Sequence, residues 1–260
     1  SWVVPTFNWE LRTAKPVLLY WLQRASFLLF GVDEWAARFP SVLLGMGTVL
    51  LTYELGRRMF GAATGLLAGV VLASAIQFCV LSHAATPDAP LIFFTVLTLL
   101  LFWRGHENGG RGWFVLPAVA AGLATLSKGP IGLGLPAIVV LAYLAWNREL
   151  YRAFDRRLVW GGLTWAAVAL PWYGYVIAET RGEYLDFFRS HNVNRFAAPM
   201  EGHRGPMVYY VAALFVFFAP WACFLAATLW YAVRAARTQS PGTAVPGLSP
   251  ETRAHRFLLC

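Results

Sequence analysis

Apolar runs close to 20 residues long recur along the chain, and they constrain its fold more than any other feature. A run of that length crosses the hydrocarbon core of a membrane as an α-helix. Hydrophobic residues make up 58% of the 260 residues and charged residues only 13%, whereas about a quarter of the residues in a soluble domain are charged. The sequence therefore predicts an all-α protein, a polytopic bundle of transmembrane helices.

About seven spans are predicted in the chain. Residues 16–30, which come before the first span, place apolar side chains on one helical face and carry Arg24. This pattern predicts an interfacial helix that lies along the membrane rather than across it. The predicted spans are residues 39–55, 62–81, 89–103, 113–126, 131–146, 158–177 and 207–233.

Positive charge is divided unevenly between the two sets of links that alternate along these spans. One set carries 12 of the 21 Lys and Arg residues and five acids, and the other carries nine and eight. Because short cytoplasmic loops are enriched in Lys and Arg, the first set is assigned to the cytoplasm. The net charge of +8 is thus read as a topology signal, and no nucleic-acid partner is needed to explain it. The three cysteines show no metal-type or disulfide spacing.

Three parts follow from this topology. Residues 1–38 are predicted to form an extracytoplasmic loop with the interfacial helix, and residues 39–233 the transmembrane bundle. Residues 234–260 are predicted to form a cytoplasmic connector that leads to a further span.

The stretch 82–90 joins the second and third spans on the predicted non-cytoplasmic face, and it contains His83 and Asp88. An ionisable residue at the junction of two membrane-length segments is a candidate for a functional site. A structural alternative fits the local sequence equally well. Thr86 could be a helix N-cap and Pro87 the first helical residue, while an acid in the first turn favours the helix dipole.

Several cations share that predicted face. Lys15 precedes the interfacial helix and either reaches the headgroup region or pairs with a phosphate. Lys128 lies in the turn 127–130, which is either a simple turn or a second phosphate contact. The link after the sixth span is basic and suits an anionic ligand or an anionic lipid headgroup. Its candidate binding residues are Arg189, His191, Arg195, His203 and Arg204.

Several short motifs follow one another over nearly the whole chain. They are residues 2–5, 15–22, 38–41, 86–90, 128–130, 191–196, 205–210 and 220–221. In this order they resemble one family, the polyprenyl-phosphate-sugar-dependent membrane glycosyltransferases. That group contains protein O-mannosyltransferases and the bacterial aminoarabinose transferases.

The resemblance implies a GT-C type fold in a bacterial inner membrane, with a cavity open to the periplasm. It also implies inverting transfer of a sugar from a polyprenyl-phosphate-linked donor to a lipid, protein or glycan acceptor. Lys15 would hold the donor phosphate, and Asp88 would be a supporting acid that binds the sugar or the acceptor. Lys128, with His83 and the basic link, would line the donor site. Membrane lipids are the remaining expected partners.

The sequence departs from the family in two respects. The family's principal catalytic acid lies in an acidic motif early in the first extracytoplasmic loop, and the chain is expected to be a fragment that begins after it. Ala14 stands where aminoarabinose transferases tend to have an acid, which argues against lipid A as the acceptor. No cofactor is assigned, and a divalent metal ion is left open. The alternative is a transporter or lipid-binding membrane protein, but charges at span ends favour the enzyme.

Overall fold

Helices make up most of the described part of the chain, which confirms the predicted all-α class. The computed structural model describes residues 4, 6–7, 10–11, 15–108, 114–154, 157–185, 207–237 and 250–260. The helices are α1 Leu18–Phe30, α2 Glu34–Phe60, α3 Ala62–Ser74, α4 Ile76–His83, α5 Asp88–Asn108, α6 Val115–Lys128, α7 Ile131–Trp146, α8 Arg157–Glu179, α9 Met207–Phe217, α10 Leu225–Arg237 and α11 Pro250–Leu259. Two 3₁₀ helices cover Leu150–Phe154 and Trp221–Phe224, and Thr6–Phe7 (β1) pairs antiparallel with Glu10–Leu11 (β2).

Helix α1 is the predicted amphipathic helix, and it buries Leu18 and Leu19 while Leu28 and Leu29 on its last turn stay exposed. It ends at Gly31, where φ is 89° and where a residue without a Cβ avoids strain. Two side-chain hydrogen bonds connect α1 to the beginning of α2. The Ser26 hydroxyl donates to the carbonyl of Ala36 at 2.6 Å, and Gln23 donates to that of Ala37 at 3.2 Å. The interfacial placement of α1 stays a prediction.

Two helices of the described residues, Glu34–Phe60 and Asp88–Glu107, are long and apolar enough to cross a membrane. The bent pair α3 and α4 supplies a third span if it is counted as one. Helix α2 starts before the predicted span because Asp33 caps it, accepting from the amide of Ala36 at 2.6 Å. Length and composition thus support two or three of the predicted spans, and the count of seven stays a prediction.

Two of the predicted spans are interrupted. The span 62–81 breaks at Ala75 with a bend of 67° between α3 and α4, and the span 207–233 breaks between α9 and α10 around Pro220. The two breaks meet, because Trp221 Nε1 donates to the Ser74 hydroxyl at 2.9 Å and the amide of Ile76 to the carbonyl of Ala219 at 3.3 Å. These hydrogen bonds provide partners for polar groups that lose their helical partners at each break. A hydropathy profile of the sequence does not predict such breaks.

Contacts between helix ends group those ends at two places. We call one the Asp88 end: the beginnings of α2 and α5 with the ends of α4 and α6. We call the other the Arg152 end: the ends of α5 and α7 with the 3₁₀ helix that follows. Contacts at each end support this grouping, because Lys128 pairs with Asp88 and His106 with Glu149. The alternation of the predicted links and their direction across the membrane stay predictions.

Helices α6 and α7 form a hairpin packed too closely for any side chain at Gly132. A Cβ built there would lie 2.2 Å from the carbonyl carbon of Ala124. The turn between the helices is equally constrained, since Gly129 has φ 84° and its amide donates to the carbonyl of Thr125 at 2.8 Å. Close contact through small residues is how helices associate in membranes. The hairpin fixes Lys128, the last residue of α6, relative to the bundle.

Candidate functional site

An ion pair between Asp88 and Lys128 is the central feature of the Asp88 end. Asp88 begins α5 and Lys128 ends α6, so the pair joins two helices through residues 40 positions apart in sequence. The side chain of Lys128 is 31% exposed and that of Asp88 27% exposed. The pair therefore lies at a boundary where a charged ligand can reach both groups.

The structural alternative for Asp88 is only partly correct. Helix α5 begins at Asp88, which places its carboxylate at the positive end of the helix dipole. The predicted cap by Thr86 is wrong, because its hydroxyl oxygen is buried without a hydrogen-bond partner in the described part of the chain. Pro87 accepts from the amide of Leu91 through its carbonyl, at 3.2 Å. The first turn therefore forms without a side-chain cap from Thr86.

His83 ends α4 and lies at the Asp88 end, as the sequence predicted. Its Nδ1 lies 2.8 Å from the carbonyl oxygen of Cys79, so one ring nitrogen is engaged within its own helix. The backbone carbonyl of His83 accepts from Arg38 Nη1 at 3.5 Å, and Arg38 also pairs with Glu34. Arg38 is a cation at this end that the sequence supplied only as part of a motif and not as a site residue.

Lys15 is half-buried and comes just before the segment that anchors α1. Val17 and Leu18 are buried in a cluster with Leu126, which lies two residues before Lys128. This packing brings the beginning of α1 to the Asp88 end and places the Lys15 segment on the same side of the bundle as the ion pair.

Aromatic residues of α8 and of the segment that follows it complete the same cluster. Trp172 meets Tyr184 edge-on at 5.5 Å between ring centroids, and the Tyr173 hydroxyl donates to the carbonyl of Thr125 at 3.3 Å. Burial raises the pKa of the Tyr184 phenol above its ordinary value. Tyr184 therefore stays neutral and can act only through packing and hydrogen bonding. The sequence did not identify these aromatic residues as part of the site, although two of them end the sixth predicted span.

The basic part of the link after the sixth predicted span, residues 189–204, lies outside the described residues. Nothing structural is therefore added to the prediction for its members, which are Arg189, His191, Arg195, His203 and Arg204. In the part of the chain that is described, no group of three or more His, Cys, Asp or Glu side chains is placed to hold a metal ion. The site as described consists of one carboxylate, its lysine partner and the anchored beginning of α1.

The fold is that of a known class of membrane protein. The crystal structure of ArnT from Cupriavidus metallidurans bound to undecaprenyl phosphate matches it with a TM-score of 0.81 and 27% sequence identity. The match covers 100% of this chain and 46% of the ArnT chain. The predicted GT-C type of helical fold is thereby confirmed.

Residues 14–175 match the model of the family described as dolichyl-phosphate-mannose-protein mannosyltransferase. The match covers more than half of the 260 residues. The chain belongs to this family, which confirms the resemblance that its motifs indicated.

Curated relatives extend the comparison. A protein of Aquifex aeolicus strain VF5 is 32% identical over 92% of this chain and 47% of its own length. An undecaprenyl phosphate-alpha-4-amino-4-deoxy-L-arabinose arabinosyl transferase of Pseudomonas aeruginosa strain UCBPP-PA14 is 31% identical over 88% of this chain and 42% of its own length. The chain thus spans about half the length of the curated relatives that it matches.

Proposed function

We propose that the protein of which this chain is part is an inverting membrane glycosyltransferase. It moves a sugar from a polyprenyl-phosphate-linked donor to a hydroxyl group on the outer side of a bacterial inner membrane. The observation that carries the proposal is the Asp88–Lys128 ion pair at the end where α1 is anchored. A phosphate that leaves with its lipid requires a cation close to a membrane surface.

In this reaction the acceptor oxygen attacks the anomeric carbon as the bond from that carbon to the phosphate oxygen breaks. Lys128 exchanges its carboxylate partner for the phosphate and neutralises the charge that develops on it. Lys15 supplies a second phosphate contact. The released Asp88 carboxylate accepts a hydrogen bond from a sugar or acceptor hydroxyl. The proton of the acceptor passes to a carboxylate base, to which no residue of this chain is assigned.

The relatives support a lipid-linked donor. One matched crystal structure is bound to undecaprenyl phosphate, and a relative's name specifies aminoarabinose on undecaprenyl phosphate. We therefore assign an undecaprenyl-type phosphate as the leaving group and a pentose or hexose as the sugar. The acceptor is a lipid, a protein hydroxyl or another glycan, and the residues of the basic link belong to the donor site.

The orientation belongs to the same proposal. The Asp88 end faces the periplasm, with residues 1–38 as an extracytoplasmic loop and α1 lying in the interface. Residues 39–233 form the membrane bundle, and residues 234–260 lie in the cytoplasm. Exposed Leu28 and Leu29 on α1 support the interfacial placement, because they suit contact with lipid.

The test is transfer by the full-length protein in liposomes that contain an undecaprenyl-phosphate-linked sugar. Donors carrying 4-amino-4-deoxy-L-arabinose, mannose or glucose are compared with lipid A, a serine-rich peptide and a periplasmic glycan as acceptors. Mass spectrometry of product and of released undecaprenyl phosphate measures turnover. Asp88→Asn and Lys15→Ala are expected to lower it strongly.

Full turnover in both variants would remove Asp88 and Lys15 from the site. Uptake of the lipid-linked sugar into sealed vesicles without any transfer would instead identify a transporter.

A further inference from the structure

A lateral cavity of about 320 Å³ lies between α5, α6, α7 and α8, away from the Asp88–Lys128 pair. Its walls are apolar, with Phe102, Pro117, Val140 and Leu144 among the lining residues. Arg152 alone of the described lining residues carries a charge, and it lies at one extremity. We propose that this cavity is a binding site for one acyl chain of an anionic phospholipid whose phosphate contacts Arg152.

The cavity does not offer water the partners that it needs. A buried water generally makes two to four hydrogen bonds. The hydroxyl of Thr98 already donates to the carbonyl of Phe94 at 2.7 Å, and the indole of Trp165 donates to Thr125 at 3.1 Å. Leu141 and Leu158, which also line the cavity, are exposed on the outer surface of the bundle. The cavity is therefore an apolar groove that is open sideways, and in a bilayer a hydrocarbon chain fills it.

The length of the groove fits one leaflet. Along α7 it runs from Leu133 to Leu144, which is roughly 16 Å at the rise of an α-helix. Half of a hydrocarbon core is about 15 Å thick. An acyl chain that enters beside Arg152 can therefore lie in the groove from Leu144 to Leu133, which is close to the beginning of α7.

The end with Arg152 suits a phosphate. The guanidinium is partly exposed, and it lies 3.5 Å from Glu149 and 3.3 Å from His106. Glu149 offsets one positive charge, so recognition rests on the remaining guanidinium N–H groups, which bind phosphate oxygens in pairs. Helix α8 also begins at this mouth, with Leu158 in the lining, and its first turn contains no acidic residue. Its dipole therefore favours an anion there.

This site is separate from the one proposed for the donor. The lining of α6 reaches only as far as Ala121, and Lys128 lies roughly 10 Å further along that helix. Between them, Thr125 receives hydrogen bonds from Trp165 and Tyr173 on α8. These hydrogen bonds lie between the groove and Lys128 along α6, and Arg152, the charged residue of the described lining, places the headgroup at the Arg152 end.

The experiment counts retained lipid. The purified full-length protein is equilibrated in detergent with equal amounts of dioleoylphosphatidylglycerol, which is anionic, and dioleoylphosphatidylcholine, which has no net charge. Native mass spectrometry then measures how much of each stays bound. We expect phosphatidylglycerol to be retained about tenfold more, in line with one charge-assisted hydrogen-bonded contact. Arg152→Gln should abolish this preference, whereas Arg104→Gln, an exposed arginine near the end of α5 and outside the lining, should keep it.

A pair of glycines on α8 provides a test of the groove itself. A Cβ at either Gly162 or Gly174 meets nothing within 4 Å, so neither position excludes a side chain at its first atom. Only Gly162 lines the groove. Gly162→Leu is expected to reduce retention of both lipids, and Gly174→Leu to leave it unchanged.

Three results would overturn the proposal. Equal loss in the two leucine variants would place the lipid elsewhere on the surface. Equal retention of the two lipids by the unaltered protein would remove the role of Arg152. Displacement of phosphatidylglycerol by undecaprenyl phosphate at equimolar concentration would assign the groove to the polyprenyl lipid instead.

Discussion

The two ends of the bundle contain the same types of charged groups in opposite settings. At the Asp88 end one carboxylate meets one lysine, and both side chains are about 30% exposed. At the Arg152 end Glu149 is 14% exposed and lies 3.3 Å from His106, whose side chain is 4% exposed. The first pair can exchange a partner for a ligand at little cost, because exposed ion pairs contribute little to stability. The second is enclosed, and its members depend on one another.

Aromatic packing explains why the charged groups at the Arg152 end are more buried than those at the Asp88 end. His106 stacks on Phe102 at 5.6 Å between centroids and meets Tyr143 edge-on at 5.4 Å. Phe257 of α11 packs on the same rings, which closes the cluster from the remaining side. In the described part of the chain, no ring contact of this kind is found at Asp88 or Lys128. Burial, rather than residue type, therefore separates a structural charge cluster from a candidate site in this protein.

The largest expected effect is a loss of sugar-transfer turnover in the variant Lys128→Met. Loss of the cation that neutralises the leaving phosphate should lower turnover by about 10²–10³-fold, the range for one stabilising group. The melting temperature in detergent should barely change, since an exposed pair contributes at most about 1 kcal/mol. Initial rates in liposomes and a melting curve check both parts. Turnover within threefold of the unaltered protein, or a collapse in melting temperature, would contradict the comparison.

Glu149→Ala should produce the reverse pattern. Its removal takes the carboxylate from the buried His106 ring and from the partly exposed Arg152, and leaving a buried polar group without its partner costs about 1–3 kcal/mol. We expect a clear loss of unfolding free energy in denaturant, with the turnover of the folded fraction unchanged. Glu54→Ala is the matched control, because Glu54 pairs with Arg57 and Arg58 on a more exposed surface and should cost less. A larger loss for Glu54 would refute the role of burial.

Gly132→Ala tests whether the hairpin holds the Asp88–Lys128 pair in place. The new methyl group would overlap the backbone of Ala124, and overpacking typically costs about 1–3 kcal/mol. Because α6 and α7 must separate, the position of Lys128 shifts and turnover should fall as well. Gly134→Ala, two residues further on and with nothing within 4 Å, should leave both stability and turnover unchanged. Identical behaviour of the two variants would show that the hairpin does not position the pair.

The smallest effect is expected for Arg38→Gln. Arg38 pairs with an exposed Glu34 and reaches the carbonyl of His83 only at 3.5 Å, so stability should change by less than about 1 kcal/mol. Turnover should stay within about threefold, as measured in the same liposomes. A loss comparable to that of Lys128→Met would instead make Arg38 a member of the site.

The sequence predicted which residues share an end of the bundle, because that follows from counting spans. Lys15, His83, Asp88 and Lys128 were grouped by alternation alone, and the structure places Asp88 and Lys128 in contact. The contact itself could not be predicted, since it depends on where α5 begins and on the tight hairpin at Gly132. The orientation of the bundle stays a prediction for a related reason, because charge counts are its only support.

Other features left no signal in the sequence. The stretch around Ala75 contains no Gly or Pro to signal a break, and its break is stabilised by Trp221, which lies 146 residues away. The enclosure of His106 likewise depends on Phe257 from the far end of the chain. Periodicity and composition are local quantities, so they predict the existence of helices better than the partners that break or enclose them.

The bend at Ala75 also has a consequence for the lipid around the protein. Helix α3 is roughly 20 Å long and α4 roughly 12 Å, from their residue counts and the helical rise. With α3 along the membrane normal and α4 turned by 67°, the pair reaches only about 24 Å across. If the pair is one span, a hydrocarbon core of about 30 Å is expected to thin beside it or to draw α4 into the headgroup layer. Either adjustment would lower the membrane surface locally next to His83.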